Sequence, residues 1–221
     1  MGLLLGSTPS FVYALDESSG DPINGAGGAN LINPGGANAP TQGSPNGGPG
    51  VSAPDTSAGF NAGGTTYFAG PAMSANDIFD LAQGDFTIEA WIFDTGGPGL
   101  YRDIMRVNYS GSGQYILRLS DASNTLEGFN GGLASSGAQV PGSTWTHVAF
   151  VRTGSSGQLY INGVASGAAV GGQVNGSGFS SISLHVGLAS GGGERWNGNM
   201  AWLAGYKSAL SSTVLLSHAT Y

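Results

Sequence analysis

The segment from residue 84 to 93, GDFTIEAWIF, alternates between two sets of side chains that are both bulky. Successive side chains of a β-strand point to opposite sides of its sheet, so each set occupies one face. The two sets are Phe86, Ile88, Ala90 and Ile92, and Thr87, Glu89, Trp91 and Phe93. A strand with two such faces needs cover on both sides. The segment therefore predicts an interior strand of a layered β protein.

Glycine, at 41 of 221 residues, supplies turns around such strands and argues against helices. It costs about 1 kcal/mol per helix position relative to alanine. Asn162-Gly163, between QLYI and VAS, is a strong hairpin signal, because a type I′ turn needs positive φ at both central residues. The tail LSSTVLLSHATY predicts a short helix capped by Ser211 or Ser212. We predict strands at 11–15, 65–68, 86–93, 103–108, 114–120, 125–129, 145–152, 158–161, 164–166, 181–189 and 200–206.

Many short strands favour a two-sheet antiparallel sandwich, and the length fits one domain over residues 1–221. Residues 20–64 differ, being rich in Gly, Pro, Ala and Asn and holding six of the ten prolines. Proline removes ladder donors and glycine weakens strands, so this stretch predicts a long loop or arm after the first strand. Such loops are uncommon in compact domains. We expect a neighbouring subunit to order it.

The order of five motifs resembles the laminin-G-like, concanavalin A-like family. They are YALDESSG (13–20), GDFTIEAWIF (84–93), WTHVAFVRTGSSGQLYINGVA (145–165), HVGLASGGGERWNGNMAWLAGYKSAL (185–210) and the closing Tyr221. The resemblance covers nearly the whole chain apart from the arm, and it implies a jelly roll of two stacked, curved sheets. Relatives commonly carry an acidic pair where Ala201 and Trp202 stand here. This departure weakens the calcium site that the resemblance would otherwise imply.

The charge distribution limits the partners. The net charge is −7, and the first basic residue is Arg102. An acidic half without a basic stripe predicts no nucleic-acid binding. No segment is apolar enough to span a membrane, so we predict no membrane partner. No cofactor is expected apart from calcium, for which the candidate ligands are Asp16, Asp21, Asp77 and Asp80.

Catalytic motifs are missing, which predicts that the protein is not an enzyme. The closely spaced acidic motif of related glucanases, Glu-x-Asp-x-x-Glu, does not occur. Asp77 and Asp80 are three positions apart and would face opposite sides of a strand. Glu89 is interpreted as a structural carboxylate. The three histidines are far apart in the chain and lack nearby ligand partners: His147, His185 and His218.

Aromatic residues among Gly, Asn and Ser suggest a glycan patch. Sugar rings stack on exposed aromatic rings, while Asn, Glu and Arg side chains bond the hydroxyl groups. The candidate residues for a glycan or a partner protein are Tyr101, Glu194, Arg195, Trp196 and Asn197. In the alternative interpretation, Trp196 plugs one end of the sandwich or contacts a neighbouring subunit.

Two functions remain open. The first is a structural subunit on the surface of a bacteriophage virion, of capsid-decoration or fibre type. Its partners would be other virion proteins and copies of itself, with a trimer as a guess. The absence of a secretory signal in MGLLLGSTPS, the absence of cysteine and the long arm support this hypothesis. The alternative is a lectin-like adhesion module that binds a surface glycan, either free or on a cell surface.

Overall fold

The computed structural model describes residues 8–43, 57–61, 63–71, 80–81, 84–97, 101–109, 114–120, 123–173, 182–188 and 193–220. Strands dominate this part of the chain. In order they are β1 (Phe11–Tyr13), β2 (Ala58–Phe60), β3 (Phe68–Ala69), β4 (Phe86–Asp94), β5 (Tyr101–Tyr109), β6 (Gln114–Ser120), β7 (Thr125–Asn130), β8 (Gly132–Gln139), β9 (Trp145–Thr153), β10 (Ser156–Ile161), β11 (Val164–Val170), β12 (Ile182–Val186) and β13 (Gly198–Tyr206). A 3-10 turn spans Gly36–Asn38, and the helix α1 spans Ser212–Ala219.

The strands form two antiparallel sheets. The seven-stranded sheet has the order β1-β13-β4-β9-β10-β11, with β2 also pairing with β13. The six-stranded sheet has the order β3-β12-β5-β6-β7-β8. Consecutive strands such as β4 and β5 lie in different sheets, so the chain crosses repeatedly between the two layers. This arrangement confirms the predicted jelly-roll sandwich.

Strand β4 lies inside the seven-stranded sheet, between β13 and β9. Its inward side chains, from Phe86 to Ile92, are fully buried in the core between the sheets. On the outer face Thr87 and Glu89 are also buried, whereas Trp91 and Phe93 are half-buried. The prediction of an interior strand covered on both sides is therefore confirmed over most of its length.

Helix α1 covers part of the outer face of the seven-stranded sheet. The Ser211 hydroxyl accepts a hydrogen bond from the Val214 amide at 3.3 Å, which confirms the predicted N-cap. Leu215 packs from the helix into a small apolar cluster with Ala149, Val151 and Tyr206 on the sheet below. With eight residues α1 is far too short for a bilayer, and no described helix could cross one.

The hairpin signal is confirmed as well. Asn162 and Gly163 have φ values of 49° and 75° and join β10 to β11, with Ile161 opposite Val164. The predicted strand at 164–166 is too short, because β11 continues to Val170. At this edge of the sandwich the Ser166 hydroxyl donates to the Ser136 carbonyl of β8 at 3.4 Å, which ties the edge strands of the two sheets together.

The first half of the arm packs against its own sandwich. Leu31 is buried in the main core, and Ile32 exchanges backbone hydrogen bonds with Ala69 of β3. Thr41 exchanges backbone hydrogen bonds with Gly59 of β2. The chain itself therefore supplies contacts that order residues 20–43, and ordering of the arm by a neighbouring subunit stays a prediction. Residues 44–56 lie outside the described residues.

A glycine in β7 allows the core aromatic Phe150 to approach the backbone. A Cβ placed on Gly128 would lie 2.6 Å from Cδ2 of that ring. We expect Gly128→Ala to lower the free energy of unfolding by about 1–3 kcal/mol, because the ring must move within a packed core. Urea unfolding measures the change. Gly84→Ala is the control, with open space around the added methyl group, and its effect should stay within about 0.5 kcal/mol. Equal stability of the two variants would contradict this account.

Candidate ligand-binding face

A row of charged side chains crosses the outer face of the six-stranded sheet. Asp103 of β5 lies opposite Arg118 of β6, and Arg118 lies opposite Glu127 of β7. Side chains directly opposite each other on antiparallel strands lie close enough to interact. The register of three neighbouring strands therefore places an acid, a base and an acid in line.

A bulge in β5 brings one more arginine onto this face. Asp103 and Arg106 are three residues apart, and in a regular strand they would point to opposite sides. The pairing shifts between Asp103 and Met105, where β5 holds one residue more than β6. The extra residue re-aims the strand, so both side chains reach the outer face. The Arg106 Nε donates to Asp103 Oδ2 at 2.5 Å.

Glu194, in the loop before β13, joins the two arginines. One of its carboxylate oxygens accepts a hydrogen bond from Arg106, and the other lies 3.6 Å from Nη1 of Arg118. The Arg118 Nε donates to Glu127 Oε2 at 3.0 Å. The Arg118 guanidinium also stacks on the Tyr101 ring, 3.7 Å from its centroid. We call this set the ligand face: Tyr101, Asp103, Arg106, Arg118, Glu127 and Glu194.

Several buried polar atoms at this face have no hydrogen-bond partner within the described part of the chain. They are Oδ1 of Asp103, Nδ2 of Asn108 and Nδ1 of His185. Asp103 is completely buried at 0% exposure. Asn108 follows Arg106 by two residues on β5, and His185 of β12 lies opposite Arg106. Buried polar groups are nearly always hydrogen-bonded, so these atoms have bonding capacity for a ligand or for water.

Burial and charge set the protonation of two of these groups. Burial raises the pKa of Asp103 to about 6, against the opposing effect of Arg106 and Arg118. Burial also lowers the pKa of His185, and the nearby Arg106 charge lowers it further. A carboxyl group with a pKa close to neutrality can act as donor or acceptor over a physiological pH range.

The structure brings two of the predicted glycan residues together. Tyr101 and Glu194 both contact Arg118 and belong to the ligand face. Arg195 is half-buried and forms an isolated backbone bridge with Leu188. The Asn197 side-chain amide donates a hydrogen bond to the Gly96 backbone carbonyl. The Asn197 backbone carbonyl accepts one from the Thr95 amide at 3.0 Å. Asn197 therefore anchors the loop to the end of β4.

Trp196 does not form an exposed stacking surface, and that prediction is wrong. Its side chain is 0% exposed and belongs to the main core. The Trp196 amide donates to the Gly187 carbonyl at 2.9 Å, which fixes the loop where the indole enters the sandwich. Its position agrees with the alternative interpretation of Trp196 as a plug.

The candidate calcium ligands do not assemble into a site in the described part of the chain. Asp16 and Asp21 are exposed, and Asp21 Oδ1 accepts a hydrogen bond from the Asn33 amide at 2.8 Å. Asp80 is buried, and Asp77 lies outside the described residues. No group of three or more histidine or acidic side chains suited to a metal occurs among the residues described.

Four members of the ligand face were missed by the sequence analysis: Asp103, Arg106, Arg118 and Glu127. The alternation of residues in β6 could have identified Arg118 as an outward-facing residue. It stands between buried Leu117 and Leu119 in a strand whose alternate residues are apolar. A charge at an outward position of such a strand marks a solvent-facing sheet surface.

A second polar cluster lies under helix α1 and joins two histidines that are distant in sequence. Nε2 of His147 lies 3.2 Å from Glu89 Oε2, and Nδ1 of His218 lies 2.9 Å from Glu89 Oε1. The Tyr206 hydroxyl donates to Glu89 Oε1 at 2.9 Å. Burial alone would raise the pKa of Glu89, but hydrogen bonds and charge from the two histidines outweigh it and hold the pKa at about 2.

This cluster corrects one prediction and supports another. His147 and His218 are not without partners, because the fold brings both to Glu89. Glu89 itself is buried and fully engaged between the sheet and the helix, which agrees with a structural carboxylate.

Solved structures similar to this chain include a sialidase and a domain of an arabinanase. A Trypanosoma rangeli sialidase in complex with 2,3-difluorosialic acid matches with a TM-score of 0.70 and 12% identity, over 98% of this chain and 33% of the sialidase chain. The present chain thus spans about a third of the sialidase chains it matches. No curated protein sequence matches it.

Two further matches are closer to this chain in extent or identity. Domain 4 of AbnA, a GH43 extracellular arabinanase from Geobacillus stearothermophilus in complex with arabinotriose, matches with a TM-score of 0.62 and 15% identity, over 96% of this chain and 98% of that domain. A putative carbohydrate binding protein from Bacteroides ovatus matches with a TM-score of 0.55 and 19% identity, over 72% of this chain and 45% of that one. At these identities the likeness shows the fold alone.

The strand order of the two sheets is that of a jelly-roll sandwich. The family model Laminin_G_3, of the concanavalin A-like lectin/glucanases superfamily, matches residues 50–214. The chain belongs to this family.

Proposed function

We propose that the protein is a non-enzymatic glycan-binding module and that the ligand face holds the sugar. The observation that carries the proposal is the stack of Arg118 on Tyr101 within an ion-paired network, beside polar atoms that have no partner among the described residues. Guanidinium groups held in fixed positions donate hydrogen bonds to sugar hydroxyl groups, and carboxylates accept hydrogen bonds from them. An aromatic ring at the same place offers an apolar surface for the sugar C–H groups.

The comparisons support the sugar as ligand. One similar domain was solved with arabinotriose, and another similar protein is described as carbohydrate binding. In a glycosidase one carboxyl group must be protonated to act as the general acid, and a neighbouring arginine disfavours that protonated form. Here Glu127 and Glu194 are ion-paired with arginines, which favours binding without cleavage. An extracellular setting suits such a module and is part of the proposal.

The virion-surface role stays a prediction, because no observation on the fold or the site favours it over the glycan module. The same holds for the homo-oligomer, the trimer and the ordering of the arm by a neighbouring subunit.

Arg118→Ala tests the proposal. We expect it to weaken binding of the sugar about 10- to 100-fold, because a hydrogen bond to a charged group contributes about 1.5–3 kcal/mol. A glycan microarray with arabinotriose among its probes identifies the ligand, and isothermal titration calorimetry measures the affinity. The same incubations, monitored for released sugar, test the absence of hydrolysis.

Lys207→Ala is the matched control, since it removes a positive charge just after β13 of the opposite sheet. It should bind like the wild type. Tyr101→Ala gives a second variant, which removes the stacking ring and leaves both arginines in place. Unchanged affinity in both Arg118→Ala and Tyr101→Ala, with thermal stability retained, would place the sugar elsewhere. A wild-type protein that binds no oligosaccharide would overturn the proposal.

A further inference from the structure

The charges of the ligand face do not balance. Three carboxylates, of Asp103, Glu127 and Glu194, face two guanidinium groups, of Arg106 and Arg118. From β12, His185 faces Arg106 with a pKa below its ordinary value, so it adds no positive charge at neutral pH. One negative charge is therefore uncompensated when every carboxyl group of the face is ionised.

The uncompensated negative charge is less favourable on Asp103 than on Glu127 or Glu194. Its carboxylate is completely buried, whereas the side chains of Glu127 and Glu194 are 13% and 24% exposed. Only one of its oxygens has a partner, since Arg106 bonds Oδ2 and Oδ1 has none within the described part of the chain. A sugar that covers the face removes the remaining water and makes an unpaired charge more costly still.

Protonation of Asp103 resolves the imbalance. Two carboxylates then face two guanidinium groups, so the charges of the ligand face balance. Burial raises the pKa of Asp103 to about 6 even without a ligand, which favours this protonation. A neutral ligand leaves this balance intact.

For an anionic sugar the charges of the ligand face are unfavourable. Both arginines are already engaged, Arg106 by Asp103 and Glu194 and Arg118 by Glu127 and Glu194. A sialic acid or uronate carboxylate would have to displace one of these partners, or add a further negative charge to the face. Its approach is therefore unfavourable.

We propose that the ligand face selects neutral sugars over sialic acids and uronates, and that it binds them with Asp103 protonated, so that affinity falls as the pH rises. The inference rests on the proposed function and adds to it the class of sugar and the proton that accompanies binding. Because the bound form holds the proton more tightly than the free form, affinity is complete below the pKa of free Asp103. Above that pH the affinity for the sugar falls by up to about tenfold per pH unit.

Calorimetric titration of wild type and Asp103→Asn at pH 5.5 and 7.5 tests the inference. Arabinotriose and lactose are the neutral probes, and sialyllactose is the anionic one. We expect the wild type to bind a neutral probe at least about threefold more weakly at pH 7.5 than at pH 5.5. Asp103→Asn carries an amide that is uncharged at both pH values, so its affinity should be the same at pH 5.5 and at pH 7.5.

Asp85→Asn, an exposed carboxylate that bonds the Gly154 amide, is the control and should keep the wild-type pH profile. Wild-type affinity that is equal at the two pH values overturns the inference and leaves the glycan module standing. A pH dependence that survives in Asp103→Asn assigns the proton to another group and also overturns it. Tighter binding of sialyllactose than of lactose overturns the neutral-sugar selectivity. If no probe binds to either protein, the inference and the proposed function both fail.

Discussion

Replacing Asp94 by alanine is expected to lower the free energy of unfolding by about 3–5 kcal/mol. Asp94 ends β4 in one sheet, and Arg102 lies near the start of β5 in the other. The Arg102 Nε donates to Asp94 Oδ1 at 3.1 Å, and Nη2 donates to Oδ2 at 3.2 Å. The two residues are 0% and 1% exposed, so alanine would remove from a buried guanidinium the carboxylate that bonds two of its nitrogens.

Denaturant unfolding measures the loss, which for a chain of this size corresponds to a fall of roughly 6 to 20 °C in Tm. Asp85→Ala is the control, since its exposed carboxylate should cost about 1 kcal/mol or less. A double variant, Asp94→Leu with Arg102→Met, should recover part of the loss, because it removes both buried charges of this pair. An Asp94→Ala protein as stable as the control would show that this ion pair does not hold the sheets together.

The elements that sequence analysis predicted are those whose local pattern agrees with their place in the fold. Strand β6 was predicted at its observed bounds, 114–120, because apolar Tyr115, Leu117 and Leu119 alternate with outward residues. Strand β8, Gly132–Gln139, was missed. Its sequence GLASSGAQ has no bulky alternation, and pairing with β7 and contact with β11 form it. Strand formation there depends on neighbours that are distant in sequence.

The candidate site was predictable only in part, for a geometric reason. Tyr101 and Glu194 were found because their residue types suit sugars, but their common partner Arg118 was not. The link depends on the register of β5, β6 and β7 and on one extra residue in β5. A rule of even spacing would have placed Asp103 and Arg106 on opposite faces. Bulges break that rule without a clear mark in the sequence.

Two buried carboxylates in this fold have opposite pKa shifts, and the number of donors explains the difference. Asp103 accepts a hydrogen bond on one oxygen and has a pKa raised to about 6. Glu89 is bonded by two histidines and a tyrosine, and its pKa is lowered to about 2. Burial acts in the same direction on both groups, so the donors decide the outcome. Asp103 is thus suited to taking up or releasing a proton near neutral pH, and Glu89 to holding α1 on its sheet.

Replacing Glu89 by glutamine should lower the free energy of unfolding by about 3 kcal/mol near neutral pH. The pKa of Glu89 falls from 4.5 to about 2 on folding, and each pKa unit corresponds to about 1.36 kcal/mol. Because the folded-state pKa is the lower one, this stability is present above pH 4.5 and is lost as the pH falls toward 2. Glutamine keeps the shape of the side chain and removes the charge that the two histidines bond.

Urea unfolding of wild type and Glu89→Gln across pH 2–7 checks this expectation. The difference in stability between the two proteins should be near its full value at pH 6 and should shrink steadily below pH 4.5. Glu17→Gln makes the same chemical change at a half-buried carboxylate that bonds the Ile23 amide, and it should cost less than about 1 kcal/mol at every pH. A difference that stays constant from pH 6 to pH 2 would mean that Glu89 stabilises the helix through its shape and not through its charge.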